Sequence, residues 1–380
     1  MRYRWVILAT GVFAQAALSG VFFGLPVLAP ALQDEYSLSL AQLGALFAAS
    51  NIGGIVTLLP WGLLTDRVGE RVALSAGLVG LGAGFAAAAA LPPYSLLFLL
   101  VTVAGASGVS VNAASGRAVM GWFAPGERGL ALGVRQASVP VGGAIVSLAL
   151  PPLLGAGGLG WALGALGLWA LAAAGVGAAL LREPPRAEEA VEDVVGPLRD
   201  ARLWRLSIGS TFYVCVQIGI TSFLVLYLHE ERGLSLGAAG AAAAAVHVIG
   251  AIGRVGLGAL SDRLGSRFTL LRAVGIAMAV AIAVAAAVLP LPLGLVVPLL
   301  VVAGGLSMCW NALSFTAAAE LAGRRNTGAA LGVQQTMLAA GCVVMPIAFA
   351  YVLDASSWRI AFALLAVLPL AGWRVLAPLS

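Results

Sequence analysis

Apolar residues run along this chain in long blocks separated by short polar breaks. A helix needs about 20 mostly apolar residues to cross the hydrocarbon layer of a membrane. Such blocks fall near residues 5–31, 39–64, 72–92, 95–122, 129–154 and 161–181, and again near 203–229, 236–261, 268–290, 294–321, 327–353 and 358–377. The pattern predicts twelve spans as six plus six. It divides the chain into an N-terminal bundle over 1–182, a cytoplasmic central loop over 183–202 and a C-terminal bundle over 203–380. The stretch from Arg182 to Arg205 holds eleven charges, which sets it apart from the apolar runs on either side. The first block follows Arg2 and Arg4 in the manner of a signal peptide. It is too long for that, however, and no small-residue cleavage site follows it, so it is read as span 1.

Composition enforces the same class. Of 380 residues, 61% are hydrophobic and 10% are charged, and the mean hydropathy is +1.01. Water-soluble domains carry roughly 25% charged residues, so lipid must solvate most of this surface. Disorder, a disulfide scaffold and a cytosolic enzyme are excluded on that ground. All 21 basic residues are Arg. With both termini cytoplasmic, sixteen of them lie inside: Arg2, Arg4, Arg67, Arg71, Arg128, Arg182, Arg186, Arg199, Arg202, Arg205, Arg263, Arg267, Arg272, Arg324, Arg325 and Arg374. Only Arg232 and Arg359 lie outside, and the positive-inside rule then fixes a multi-pass protein of the cytoplasmic membrane. The basic residues are spread over short loops with no common face, so no nucleic-acid partner is expected. Cys215, Cys309 and Cys342 are far apart in apolar stretches and make neither a metal nor a disulfide pattern. No cofactor is called for.

The two halves repeat. Gly62-Leu-Leu-Thr-Asp66-Arg67-Val-Gly69-Glu-Arg71 stands between spans 2 and 3, and Gly258-Ala-Leu-Ser-Asp262-Arg263-Leu-Gly265-Ser-Arg267 between spans 8 and 9, at an offset of 196. Ala131-Leu-Gly133-Val-Arg135-Gln136 is echoed by Ala330-Leu-Gly332-Val-Gln334-Gln335, and Asn112 by Asn311, at an offset of 199. Internal duplication of this kind is common among secondary transporters. The repeated G-x-L-x-D-R-x-G-x-R segment resembles the signature loop of the major facilitator superfamily. Trp122-Phe123-Ala-Pro125-Gly-Glu127-Arg128-Gly129 is similar to that superfamily's loop between helices 4 and 5. The resemblance covers the whole chain. It implies an all-α fold of two pseudo-symmetric six-helix bundles around a central cavity, working by alternating access. On physical grounds, the loop glycines allow tight turning and close helix approach. Asp66 and Asp262 can meet helix N-termini or arginines in one access state and lose them in the other, which would bias the equilibrium. Arg67, Arg71, Arg263 and Arg267 suit lipid headgroups or acidic partners, or serve only to fix topology.

Ionisable and strongly polar groups inside spans are functional candidates by default. They are Gln15, Asn51, Asn112, Arg117, Arg135, Gln136, Tyr213, Gln217, His247, Arg254, Asn311, Gln334 and Gln335, on spans 1, 2, 4, 5, 7, 8, 10 and 11. Those are the eight helices that line the cavity in the superfamily. His247 and Arg254 on span 8 are seven residues apart, nearly two turns, so they share a face about 10 Å apart along the axis. Arg254 resembles the helix-8 arginine of monocarboxylate and oxalate–formate type members, which implies carboxylate binding. Its planar fork suits a carboxylate in a low-dielectric cavity. An ion pair with Glu320 is the alternative. The chain departs from the monocarboxylate group: span 1 lacks the acidic-glycine-tryptophan opening, and no Asp precedes Arg254 by a turn.

Three arginines within spans and no central acid leave the cavity positive, which favours an anionic substrate. Arg135 is expected at the depth of Gln334 and is a second anion contact. Arg117 lies near the inner end of span 4, where snorkelling or pairing with Asp66 is expected. His247 can carry a proton, since histidine titrates near neutral pH. Asn112, Asn311, Tyr213, Gln217, Gln15 and Gln334 are candidate cavity-wall residues. Pro140-Val-Gly-Gly143 only partly resembles the superfamily's antiporter pattern and reads as a kink. The leading expectation is a monomeric secondary transporter of a small organic anion, proton-coupled or exchanging, with protons and membrane lipids as its other partners. A drug or amphipath exporter of the same fold is the alternative, although such pumps need a membrane-embedded acid that is missing here. An integral-membrane enzyme finds no support, because there are two histidines and no nucleophile–base pair.

Overall fold

A computed structural model describes residues 3–124, 127–183 and 199–379, without the side chains of 128, 129 and 324–327. Among the described residues every regular element is helical. Eleven runs are long and apolar enough to cross a membrane. One of them, Leu130–Leu180, has 51 residues, far more than one crossing needs. It is broken at Gly158, whose φ of 73° no helix can hold. The break separates spans 5 and 6 and brings the number of crossings to twelve. An even number returns both ends of the chain to one face, called here the terminal face. The opposite one is the far face.

The helices begin where the sequence supplies caps. Ser39 opens span 2 (Leu40–Val68) with a reciprocal capping box: Gln42 N–H donates to Ser39 Oγ at 3.2 Å, and Ser39 N–H to Gln42 Oε1 at 3.0 Å. Asp200, Ser235, Ser266 and Ser357 accept from the first turns of spans 7, 8, 9 and 12. Asp200 also takes the Arg202 guanidinium, which holds its carboxyl below the usual carboxylate range. Span 1 ends at Val27, short of residue 31, because Pro26 and Pro30 break the run and a separate short helix, Ala29–Tyr36, follows. Span 4 is interrupted at Val109, between Tyr94–Gly108 and Ser110–Trp122.

The two halves meet most closely toward the far face. A Cβ on Gly44 of span 2 would lie 2.5 Å from the Pro346 carbonyl oxygen of span 11, so only glycine admits this approach. Gly240 of span 8 packs in the same way on the Ser147 carbonyl of span 5. Phe23 against His247 (4.4 Å between ring centres) and Phe47 against Phe223 (5.7 Å) seal the same region. Toward the terminal face the packing opens. Leu43, Leu46, Phe47 and Gly53 of span 2 are buried, whereas Val56 and Leu59 are 71% and 72% exposed. Gly62, Gly133, Gly258 and Gly332 have open space where a Cβ would point. The halves are therefore closed at the far face and parted at the terminal face.

Candidate functional site

Spans 5 and 8 run antiparallel across the junction, and their seven-residue spacings match. Gly143 meets His247, and one helical repeat toward the terminal face Gln136 meets Arg254. The shared face of His247 and Arg254 is thus turned onto span 5. His247 is buried. Its ring lies edge-on to Phe23, and a Cβ on Gly143 would overlap the imidazole. A cavity of about 10 Å³ beside the ring, bordered by Ser147 and Thr221, has the room of one water molecule. Among the described residues Nδ1 of His247 has no hydrogen-bond partner.

Arg254 sits between the halves with its side chain buried. Nε donates to the Met308 carbonyl at 2.9 Å, Nη1 to the Gln136 carbonyl at 3.1 Å and Nη2 to Asn311 Oδ1 at 2.9 Å. Arg135 is buried at similar depth in the N-terminal half. Its Nε donates to Ser115 Oγ at 2.7 Å and its Nη1 to Gln136 Oε1 at 3.3 Å. Its Nη2 donates to Gln15 Oε1 at 2.9 Å and to the Asn112 carbonyl at 3.2 Å. Every one of these acceptors is neutral. Among the described residues neither guanidinium pairs with an acid; Glu320, the alternative partner for Arg254, binds Arg267 instead.

The donors can be counted. A guanidinium carries five N–H groups. Arg135 commits four and keeps one, on Nη1. Arg254 commits three and keeps two, one on each Nη. Arg254 can therefore bind an anion without surrendering a bond, whereas Arg135 contributes mainly its charge. Leaving two buried cations without a counter-charge costs several kcal/mol per ion in general, and an arriving anion would offset that cost.

The repeat is visible in the contacts. Arg135 and Ser115 correspond to Gln334 and Ser314 at the same offset of 199, and Gln334 Nε2 donates to Ser314 Oγ at 2.6 Å. Ser314 in turn lies 2.5 Å from Ser210 of span 7. Gln334 is fully buried, and among the described residues its Oε1 has no partner, nor has Oε1 of buried Gln217. Asn51 is half-buried on span 2.

Tyr213 corrects the sequence expectation. It does not line the cavity: its hydroxyl donates to the Leu271 carbonyl of span 9 at 3.3 Å, and its ring fills the space left by Gly275 and Gly372 of spans 9 and 12. Sequence alone leaves the direction of one phenol undetermined.

At the terminal face the signature loops carry ion pairs of opposite construction. Arg117 of span 4 reaches Asp66 and, at 3.2 Å, Glu70. In the second loop Arg267 binds Asp262 at 2.6 Å and Glu320 of span 10 at 3.1 Å. Gly69 (φ 83°) and Gly265 (φ 64°) make the turns. The close packing expected at Gly62 and Gly258 is not seen, because the halves are parted there. Arg67, Arg71 and Arg263 are exposed. Sequence reading passed over Ser115, Glu70 and the dual role of Gln136. The 199-residue echo of Ser115 in Ser314 was the available signal for the first.

The chain belongs to the Major Facilitator Superfamily, whose sequence profile matches residues 11–344. It is a membrane transporter and not an enzyme. An uncharacterised MFS-type transporter of Mycobacterium tuberculosis, Rv2994, is 30% identical over 97% of this chain and 83% of its own length. A probable nitrate/nitrite antiporter of Thermus thermophilus is 29% identical over 73% of this chain and 65% of its own. An oxalate:formate antiporter of Oxalobacter formigenes is 28% identical over 37% of this chain and 33% of its own. In fold, the chain matches an inward-facing, occupied bacterial homologue of the human lysosomal transporter Spinster, with a TM-score of 0.84 at 18% identity, covering 100% of this chain and 97% of that one.

Proposed function

We propose that the protein is a secondary active transporter that moves a small organic anion, a carboxylate, across the cytoplasmic membrane by alternating access. The observation that carries this reading is Arg254: a buried guanidinium between the halves, held by three neutral acceptors, with two N–H groups free and no acid beside it among the described residues. Arg135 supplies a second positive charge. Asn112, Asn311, Gln15, Gln217 and Gln334 complete the polar wall, of which Gln15, Asn112 and Asn311 orient the arginines. With the arginine-rich terminal face taken as cytoplasmic, the parted side faces inward. The driving ion is a proton taken up at His247, whose Nδ1 is free to receive it, or a second anion in exchange. Asp66 and Asp262 hold their arginine partners in this state and lose them when the terminal face closes. The unit is a monomer. Two relatives bear the names of anion antiporters, in keeping with this reading.

The test is a thermal-unfolding screen of purified protein against small carboxylates, nitrate, phosphate esters, sugars and lipophilic cations. A ligand at about 100 times its Kd adds roughly 2.7 kcal/mol to the native state. Stabilisation by a carboxylate, lost in Arg254→Ala, is expected. Stabilisation by lipophilic cations alone would promote the amphipath exporter, and stabilisation by nitrate alone an inorganic oxyanion carrier.

A further inference from the structure

Gln136 has no assigned part in anion recognition, yet the two central arginines converge on it. Its side-chain oxygen accepts from Nη1 of Arg135 at 3.3 Å, and its backbone carbonyl accepts from Nη1 of Arg254 at 3.1 Å. The second bond crosses the junction. It carries a side chain of the C-terminal half to the backbone of the N-terminal half. Two like charges are thus each held by an oxygen of a single residue. Without those oxygens each guanidinium would relax into its own half, Arg254 toward Met308 and Asn311, Arg135 toward Ser115 and Gln15.

We propose that Gln136 is a positioning residue of the anion site: it draws the Arg254 fork and the Arg135 charge toward one point, so that a single anion meets both halves at once. The proposal rests on the reading of Arg254 as the anion contact. It explains why a neutral amide stands beside Arg135 where a carboxylate would satisfy that guanidinium better. An acid at that position would be a resident anion, tied to Arg135 beside the Arg254 contact and in permanent competition with the substrate. A neutral oxygen holds the geometry and leaves the charge uncompensated.

Two variants test this, read by calorimetric titration with the carboxylate that stabilises the wild type and by thermal unfolding without ligand. Gln136→Glu is expected to raise the unfolding temperature of the ligand-free protein, since a half-buried acid now meets the unpaired Arg135 cation, while weakening anion binding at least 100-fold. A merely structural glutamine would give the opposite sign in the first readout. Gln136→Leu keeps the size and the backbone carbonyl but removes Oε1, and is expected to weaken binding about tenfold with the fold intact. Wild-type affinity in Gln136→Glu overturns the proposal, as does wild-type affinity in Gln136→Leu. Arg254→Ala runs alongside: if it binds as the wild type does, the anion site itself is misplaced, whereas its loss of binding beside an unaffected Gln136→Glu overturns the role of Gln136 alone.

Discussion

The two halves share a scaffold and differ in where they place charge. In the N-terminal half Arg135 stands beside Ser115. In the C-terminal half the corresponding pair is Gln334 and Ser314, neutral and joined at 2.6 Å, and the cation comes from another helix as Arg254. Both central arginines nevertheless reach the equivalent asparagines, Asn112 and Asn311. The signature loops differ in the same way. The first receives its arginine from span 4, as Arg117, and supplies the acids Asp66 and Glu70; the second supplies Arg267 itself and draws the acid Glu320 from span 10. The duplicated backbone preserves positions at which a polar contact is needed and leaves the sign of the charge open. Among the described residues, one central cation in each half is then left with no acid to cancel it.

The comparison can be broken most strongly at the arginines. Arg254→Ala is expected to abolish anion binding. Arg135→Gln, which makes the N-terminal pair a copy of Gln334–Ser314, is expected to weaken binding only about tenfold, or 1.4 kcal/mol. Its unfolding temperature should not fall, because a buried unpaired charge has been removed. Titration of both variants decides whether the halves contribute unequally, and equal losses would erase the distinction between fork and field.

A smaller effect separates the two signature turns. Gly69 has φ 83° and ψ 164°, a region that only glycine occupies readily, and a Cβ there would also strike the Glu183 carboxylate. Gly265 has φ 64° and ψ 16°, ordinary left-handed backbone with open space around it. Gly69→Ala is therefore expected to destabilise by about 2 kcal/mol or more, and Gly265→Ala by about 1 kcal/mol. Thermal unfolding of the two single variants checks the order.

Much of this was legible in the sequence. Twelve apolar blocks set the spans, and the offsets of 196 and 199 set the duplication. The seven-residue spacing of His247 and Arg254 put both on the face that meets span 5. Three features were hidden, each for a physical reason. Tyr213 turned toward spans 9 and 12, where Gly275 and Gly372 leave room for its ring, and the sequence of its own helix does not encode that room. The choice of Glu320 by Arg267 over Arg254 depends on which helix end lies nearest at the terminal face, and no local pattern encodes that. The convergence on Gln136 involves a backbone carbonyl, and sequence says nothing about where a carbonyl points.

The most direct test of Arg254 as the anion's fork is a calorimetric titration of Arg254→Lys with the carboxylate that stabilises the wild type. Lysine keeps the positive charge and loses the paired N–H geometry. Binding at least 100-fold weaker than wild type is the expected result. Binding within a few-fold of wild type would show that charge alone suffices, and would contradict carboxylate recognition through the two free N–H groups of Arg254.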